Sequence, residues 1–392
     1  MFSALHRELA ALEDKGLRRT RRTLDSAQSA QVVVDGKPYL AFCSNDYLGL
    51  ANHPALIAAA RDGAVAYGVG AGASHLVLGH ARAHEQLENE LAVFVRLPSA
   101  LLFSTGYMAN SGIVTALLGR EDAVFADRLN HASLNDACLL ARAQFKRFAH
   151  CDLDQLERLL ATTKAKRKLI AVDAVFSMDG DIAPVPQLLA LAERYDAWLL
   201  LDDAHGFGVL GDGGRGVLEH FDVHGDRAAR VIYMATLGKA AGVFGAFVAG
   251  EAALIELLMQ RARTYIYTTA MPPLLACALS KSIELIAAGA SLRRQLTENI
   301  DQLKQGVTRA LPEGRRLSPS LTAIQPLVIG DNGEAVRVAA RLADNGVLVP
   351  AIRPPTVPQG TARLRISLSA AHTAHDVQHL VQALQKVMAE RS

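Results

Sequence analysis

Aromatic side chains are scarce in this sequence: Phe, Trp and Tyr make up 5% of 392 residues, while the apolar set as a whole makes up 50%. Packing therefore falls mainly to Ala, Leu and Val, a mixture suited to helices layered over a buried sheet. Cysteine is scarce too. The four that occur, Cys43, Cys138, Cys151 and Cys277, are scattered and form no C-x-x-C pair. That argues against a disulfide framework or a zinc site and for reduced thiols. Net charge is nearly absent, since 41 Lys and Arg against 39 Asp and Glu leave +2, too little for a nucleic-acid groove. No apolar run reaches the roughly 20 residues that span a bilayer. The first residues carry no apolar signal core, and Glu8, Glu13 and Asp14 argue against a transit peptide. The expected location is the cytoplasm. The one local charge run, Arg18, Arg19, Arg21 and Arg22, is either a solvated face or a contact for an anionic substrate.

Leu5, Leu9 and Leu12 recur at helical spacing. The stretch 31–40 reads as a hairpin turning at Asp35-Gly36. From about 55 to 250, short apolar runs alternate with amphipathic ones. Buried strands are expected at 100–104, 123–126, 169–173, 198–203, 231–236 and 246–249, with a helix at 185–194 among the intervening segments. Strand and helix in alternation predict an α/β fold with a mainly parallel sheet covered on both faces, and such sheets bind ligands at their carboxyl ends. Beyond 280 the pattern predicts one long helix at 285–311, strands at 323–329, 347–352 and 363–368, and helices at 334–344 and from Thr373. In the last of these, Asp376 stands where a capping box has its acidic partner. The expected organisation is an N-terminal arm (1–50), a large domain (51–280) and a small α/β C-terminal domain (281–392).

Polar residues at the strand ends carry the chemistry. Thr236-Leu237-Gly238-Lys239-Ala240 ends a strand in a hydroxyl and a lysine among small neighbours. The lysine is either an ordinary surface residue or an amine that loses its proton beside a cationic cofactor and forms an imine. Asp202, in Asp202-Asp203-Ala204-His205-Gly206, closes a buried strand, where a carboxylate is costly unless paired. In a pyridoxal-phosphate (PLP) enzyme its partner is the pyridinium nitrogen, and capping of the following turn is the alternative. His205 either reaches the 3-oxygen of that cofactor or is a satisfied core histidine. Thr105-Gly106-Tyr107 leads from a strand into a helix start, which suits a phosphate. His131 either stacks on a flat ring or caps the next helix. Ser177 offers a hydroxyl after another buried strand, with Asp179-Gly180 as a turn. Arg363 and Arg365 alternate onto one face of a strand, where an arginine binds a carboxylate bidentately or pairs at the surface.

These residues, in this order and spacing, resemble the α-oxoamine synthase family of fold-type I PLP enzymes. The resemblance runs from Arg19 to the last helix and rests on S-N-D-Y-L-G-L (44–50), N-H-A-S-L (130–134), F-S-M-D-G-D (176–181), D-D-A-H-G (202–206) and T-L-G-K-A (236–240). It implies a large PLP-binding domain and a smaller C-terminal one, and a decarboxylative condensation of an amino acid with an acyl thioester. By resemblance Lys239 holds the cofactor and then acts as acid and base. Asp202 pairs with the ring nitrogen, His205 contacts the 3-oxygen and His131 stacks on the ring. Gly106 and Tyr107 cradle the phosphate, and Ser177 and Thr236 add hydroxyl contacts. Thr268 or Thr269 reaches a phosphate across the interface of a homodimer. Asn45 lies near the substrate, Arg365 holds the amino-acid carboxylate and Thr356 contacts the acyl substrate. Arg19 is the N-terminal substrate contact, with Arg18 and Arg21 as alternatives. No metal is implied. The stretches 265–273, 323–327 and 351–358 favour the biotin-pathway branch, which implies L-alanine and a pimeloyl thioester, on CoA or on a carrier protein. A sister synthase joining glycine to a donor such as acetyl-CoA is the alternative. One departure stands out: Leu78 replaces a hydroxyl residue in a loop expected near the acyl site.

Overall fold

The computed structural model describes residues 2–14, 17–311 and 316–389. Its centre is a sheet of seven strands: β1 (Ser99–Phe103), β2 (Ala123–Asp127), β3 (Gln144–Phe148), β4 (Lys168–Asp173), β5 (Ala197–Asp202), β6 (Val231–Thr236) and β7 (Ala246–Gly250). Their spatial order is β1-β7-β6-β5-β4-β2-β3. Only β7 runs antiparallel to its neighbours β1 and β6; the other pairs are parallel. The inner strands are apolar runs because both faces are covered. Leu169, Ala171, Leu200 and Ile232 pack into one core, and their alternates Ile170, Val172, Leu199 and Tyr233 into the other.

Three elements differ from the expectation. β3 was not foreseen, because Gln144-Phe145-Lys146-Arg147-Phe148 sits on the sheet edge and keeps only Phe148 buried. The helix expected at 285–311 is two helices, Pro273–Ala288 and Ala290–Ala310, bent by 69°. At the bend Arg293 donates from Nη1 to Ile286 O (2.7 Å) and from Nη2 to Asp212 O (2.6 Å), so its side chain joins the end of the first helix to the loop at Asp212. The strand expected at 347–352 is split. Val347–Leu348 joins the Gln31–Val34/Lys37–Ala41 hairpin, while Ala351–Ile352 pairs with Ala362–Ser367, itself paired with Ile324–Gly330. Pro350 stands between the halves and has no N–H to continue a ladder.

The capping box of the last helix is present. Thr373 N and Oγ1 donate to Asp376 Oδ2 (2.8 Å each), and Asp376 N donates to Thr373 Oγ1 (3.2 Å). Among the described residues no single helix is long and apolar enough to cross a membrane.

Candidate active site

β4, β5 and β6 end in Asp173, Asp202 and Thr236, and their ends open into a cavity of about 210 Å³. Eight residues expected at the site line it together: Gly106, Tyr107, His131, Ser177, Asp202, His205, Thr236 and Lys239. Asp202 is buried. Its Oδ2 accepts from Asn110 Nδ2 (2.8 Å) and its Oδ1 from Ala204 N (3.1 Å), so it also shapes the following turn. Asn110 Nδ2 donates to Ser133 Oγ as well (2.9 Å). Asp173 accepts the His131 amide on both oxygens (3.1 and 3.0 Å). Burial, and after it the nearby charge of Asp202, push the Asp173 carboxyl well above the usual range. His131 caps the helix Ala132–Leu140 by accepting from Ser133 N (3.3 Å), as one sequence alternative proposed, and its ring also lines the cavity.

The amine of Lys239 lies 2.9 Å from His205 Nε2, and His205 Nδ1 lies 2.7 Å from Tyr47 Oη. Tyr47 in turn donates to Asn45 Oδ1 (3.0 Å), which also accepts from Arg365 Nη1 (3.3 Å). One proton arrangement serves this whole chain. Lys239 donates to Nε2, His205 donates from Nδ1 to Tyr47, and Tyr47 donates to Asn45. A neutral imidazole is required, and burial, helped by Lys239, pushes the His205 pKa well below 6.5. Burial also lowers Lys239 from 10.5 to about 8, which makes the free amine accessible near neutral pH. Arg365 is aimed by two further bonds, Nε to Ser177 O (2.6 Å) and Nη1 to Ser367 Oγ (2.8 Å). Arg363, on the same strand, pairs instead with Asp179.

Thr356 lines a second hollow of about 600 Å³ that shares His131 and Ser177 with the first. Arg19 lines a third, of about 400 Å³, that shares Thr356 with the second. The three hollows are thus neighbours, the first of them lined by the lysine. Thr268 and Thr269 do not line the cavity; they lie between the helices Arg263–Ile266 and Pro273–Ala288. Leu78 is 86% exposed, between Val77 and Gly79. A roomier hollow, about 640 Å³ beside Lys304 and Leu321, contains none of the expected residues. Of the ligand-capable groups elsewhere, His75, His80 and His84 lie together. His84 uses both ring nitrogens, Nε2 toward Met271 O (2.8 Å) and Nδ1 accepting from Ala81 N (2.9 Å), and so has no lone pair to offer a metal.

Tyr47, Asn110, Ser133 and Asp173 were missed from sequence. Asp173 ends a buried strand just as Asp202 does, and Asn110 stands one helical turn after Gly106, on its face. Both signals were there to be used.

The donor set fits PLP. Among the described residues the buried Asp202 carboxylate has only neutral hydrogen-bond donors, Asn110 and Ala204 N, and a pyridinium N–H would add the charge partner it lacks. Gly106 and Tyr107 open the helix Gly106–Leu117, whose first-turn amides have no partner within the helix. A Cβ on Gly106 would stand 2.7 Å from Thr236 Cγ2, so only glycine allows this approach.

Comparison with known proteins agrees with this geometry. Residues 37–384 match the family model of class I and II aminotransferases. The chain is 62% identical over 383 residues to 8-amino-7-oxononanoate synthase of Nitrosospira multiformis, covering 98% of this chain and 95% of that protein. It is 58% identical to the enzyme of the same name from Aromatoleum aromaticum, covering 100% of both. Among solved structures it is similar to a serine palmitoyltransferase of Sphingomonas wittichii (TM-score 0.92, 30% identity, 98% and 96% of the two chains). It is also similar to the 8-amino-7-oxononanoate synthase of Francisella tularensis (TM-score 0.75, 31% identity, 89% and 97% of the two chains). An SPT structure holding PLP superimposes with a TM-score of 0.91 at 31% identity, over 98% of this chain and 97% of that one. The chain therefore belongs to the class I and II aminotransferase family and, within it, to the PLP-dependent α-oxoamine synthases, which transfer an acyl group to an amino acid.

Proposed function

We propose that the chain condenses L-alanine with a pimeloyl thioester, carried on CoA or on a carrier protein, to give 8-amino-7-oxononanoate, carbon dioxide and free thiol in biotin synthesis. The relatives that carry that name match over nearly the whole chain. The observation that carries the reading is the hydrogen-bond chain from Lys239 through His205, Tyr47 and Asn45 to Arg365, because it joins the reacting amine to a carboxylate-binding guanidinium.

When bound, PLP supplies an electron sink for the pair left on the amino-acid α-carbon. The chain's own residues do the rest. Arg365 holds the substrate carboxylate and fixes which bond is presented. Lys239 takes the Cα proton, with its low pKa keeping the amine available, and returns a proton after carbon dioxide has left. The new bond joins Cα to the thioester carbonyl carbon, and the sulfur leaves with the electron pair of the bond that breaks. With PLP bound, Asp202 would face the ring nitrogen, His205 the 3-oxygen and His131 the ring face. Gly106, Tyr107, Ser177 and Thr236 would hold the cofactor's polar groups, and Thr356 and Arg19 would line the way of the acyl chain.

A homodimer is part of the proposal, with Thr268 or Thr269 of one copy serving the phosphate of the other. Exposed Leu76, Val77 and Leu78 support a covered surface next to Ala73, whose carbonyl accepts from Ala270 N (2.9 Å). The cytoplasm is the proposed location. The boundaries near 50 and 280 are proposed as those of arm, large domain and small domain.

The test is the visible spectrum of purified protein during addition of L-alanine and then pimeloyl-CoA. A cofactor band that shifts with L-alanine, followed by thiol release only after the thioester, supports the reading. A band that answers glycine and ignores L-alanine moves the substrate to that of a sister synthase. Lys239→Ala is expected to abolish turnover.

A further inference from the structure

His150 follows the edge strand β3 and lies outside the cavity, yet two carboxylates hold it. Nδ1 is 3.2 Å from each oxygen of Asp127 and Nε2 is 2.8 Å from Asp181 Oδ2. Asp127 ends β2 and is buried, and its place is fixed by the amides of Leu129 and Cys151 (2.8 Å each). The imidazole also stands edge-on to Phe176, with centroids 4.4 Å apart at 87°. Both ring nitrogens face acceptors, so the ring is the doubly protonated form. Burial opposes that charge, but the bonds to Asp127 and Asp181 outweigh it and push the pKa to about 12.

Asp181 closes a tight turn over 177–181, in which Phe176 N donates to Asp181 O (3.0 Å) and Gly180 N to Phe176 O (2.8 Å). Beyond these bonds and the one from His150, the turn is tied to the C-terminal part of the chain. Ser177 O accepts from Arg365 Nε (2.6 Å), Met178 O from Arg363 Nη1 (3.3 Å), and Asp179 pairs with Arg363. Gly180 O accepts from Ser320 Oγ (2.9 Å) and Thr322 Oγ1 (3.0 Å). Apart from the backbone bridge to residues 174–176, the side-chain hold of the sheet side on the turn among the described residues is thus His150.

We propose that His150 is a positioning residue for the amino-acid carboxylate. Clasped between Asp127 and Asp181, it anchors the 177–181 turn to the sheet, and the turn aims Arg365 through the Ser177 carbonyl. The proposal rests on Arg365 being the carboxylate-binding residue. It does not touch substrate or cofactor, and its effect belongs to amino-acid binding rather than to the acyl donor or to PLP.

The experiment uses holoenzyme. L-Alanine is titrated against the visible cofactor band, and KM is measured separately for L-alanine and pimeloyl-CoA. If the wild-type band answers only glycine or L-serine, that amino acid replaces L-alanine, so a wrong substrate and a wrong role for His150 give different results. His150→Gln, which serves one carboxylate and leaves the other unpaired, is expected to weaken amino-acid binding about tenfold or more. Bound PLP and the pimeloyl-CoA KM should change by less than about twofold, within ordinary mutational scatter. Asp181→Asn keeps an acceptor and loses only the charge, and is expected to fold and to weaken the amino acid about threefold. The double variant should be no worse than His150→Gln alone, because the two residues act as one unit. Equal rises in both KM values, an unchanged amino-acid affinity in Asp181→Asn and His150→Gln, or additive effects in the double variant would overturn the proposal.

Discussion

Lys239 is held in a wall that resists its charge, and removing it should make the cofactor-free protein more stable. Burial lowers its pKa from 10.5 to about 8. At about 1.4 kcal/mol per pH unit, the ammonium costs the folded state about 3 kcal/mol. Lys239→Met removes that charge and keeps the volume. It also loses the hydrogen bond to His205, worth about 1 kcal/mol, which leaves a net gain of about 2 kcal/mol. The pH dependence has a definite direction. Below about pH 8 the lysine is protonated in both the folded and the unfolded chain, and the penalty is complete. Between about 8 and 10.5 the folded lysine has lost its proton while the unfolded one retains it, so the penalty fades. Above 10.5 it is gone. Urea unfolding of both proteins without PLP, at one protein concentration and at pH 7 and 10, measures this directly. A variant less stable than wild type at pH 7, or an advantage that does not shrink by pH 10, would refute the reasoning. The gain should coincide with complete loss of turnover, since the destabilising group is the one proposed to react.

Other expectations concern the neighbours of that lysine. Tyr47→Phe leaves His205 Nδ1 without its 2.7 Å partner; a buried donor so stranded costs about 1–3 kcal/mol, so kcat/KM should fall tenfold or more in steady-state assays while PLP content stays intact. Gly106→Ala puts a methyl 2.7 Å from Thr236 Cγ2. Overpacking of about 1–3 kcal/mol should weaken PLP about ten- to a hundredfold in equilibrium dialysis, and unchanged affinity would show that the helix start shifts freely. Gly180→Ala meets Ile324 O at 2.4 Å with φ at +74°. Strain and overpacking together should cost about 3 kcal/mol, read as a lower urea midpoint.

The sheet was legible because its inner strands are buried on both faces and therefore spell continuous apolar runs. β6 was expected at 231–236 and spans Val231–Thr236. The edge strand β3 was not legible, since only Phe148 of it is buried and it holds no long apolar run. The bend near Gly289 depends on Arg293 reaching back to Ile286 O and across to Asp212 O. Contacts of that kind leave no periodic trace. At the site, motif residues at the strand ends were found because hydroxyl, carboxylate and lysine are out of place there. Tyr47 and Asn110 were passed over because their importance lies in what they hydrogen bond. Tyr47 is one of the largest fully buried side chains, and nothing in its immediate sequence says that His205, far along the chain, is its partner.

The strand pairing of the two chain ends sets an order of assembly. Leu40 N donates to Gly346 O, Phe42 N to Leu348 O, Ser367 N to Phe42 O, and Ser369 Oγ to Asp46 O. During synthesis, the segment that brings Asn45 and Tyr47 to the lysine waits for strands made some 300 residues later. At 5–20 residues per second that delay is roughly 15 to 60 s. The walls contributed by β4, β5 and β6 are all translated before that point. The end of the site next to Asn45 and Arg365 is therefore completed last, and a ribosome that stalls before Arg365 leaves the lysine without the guanidinium proposed to hold the amino acid.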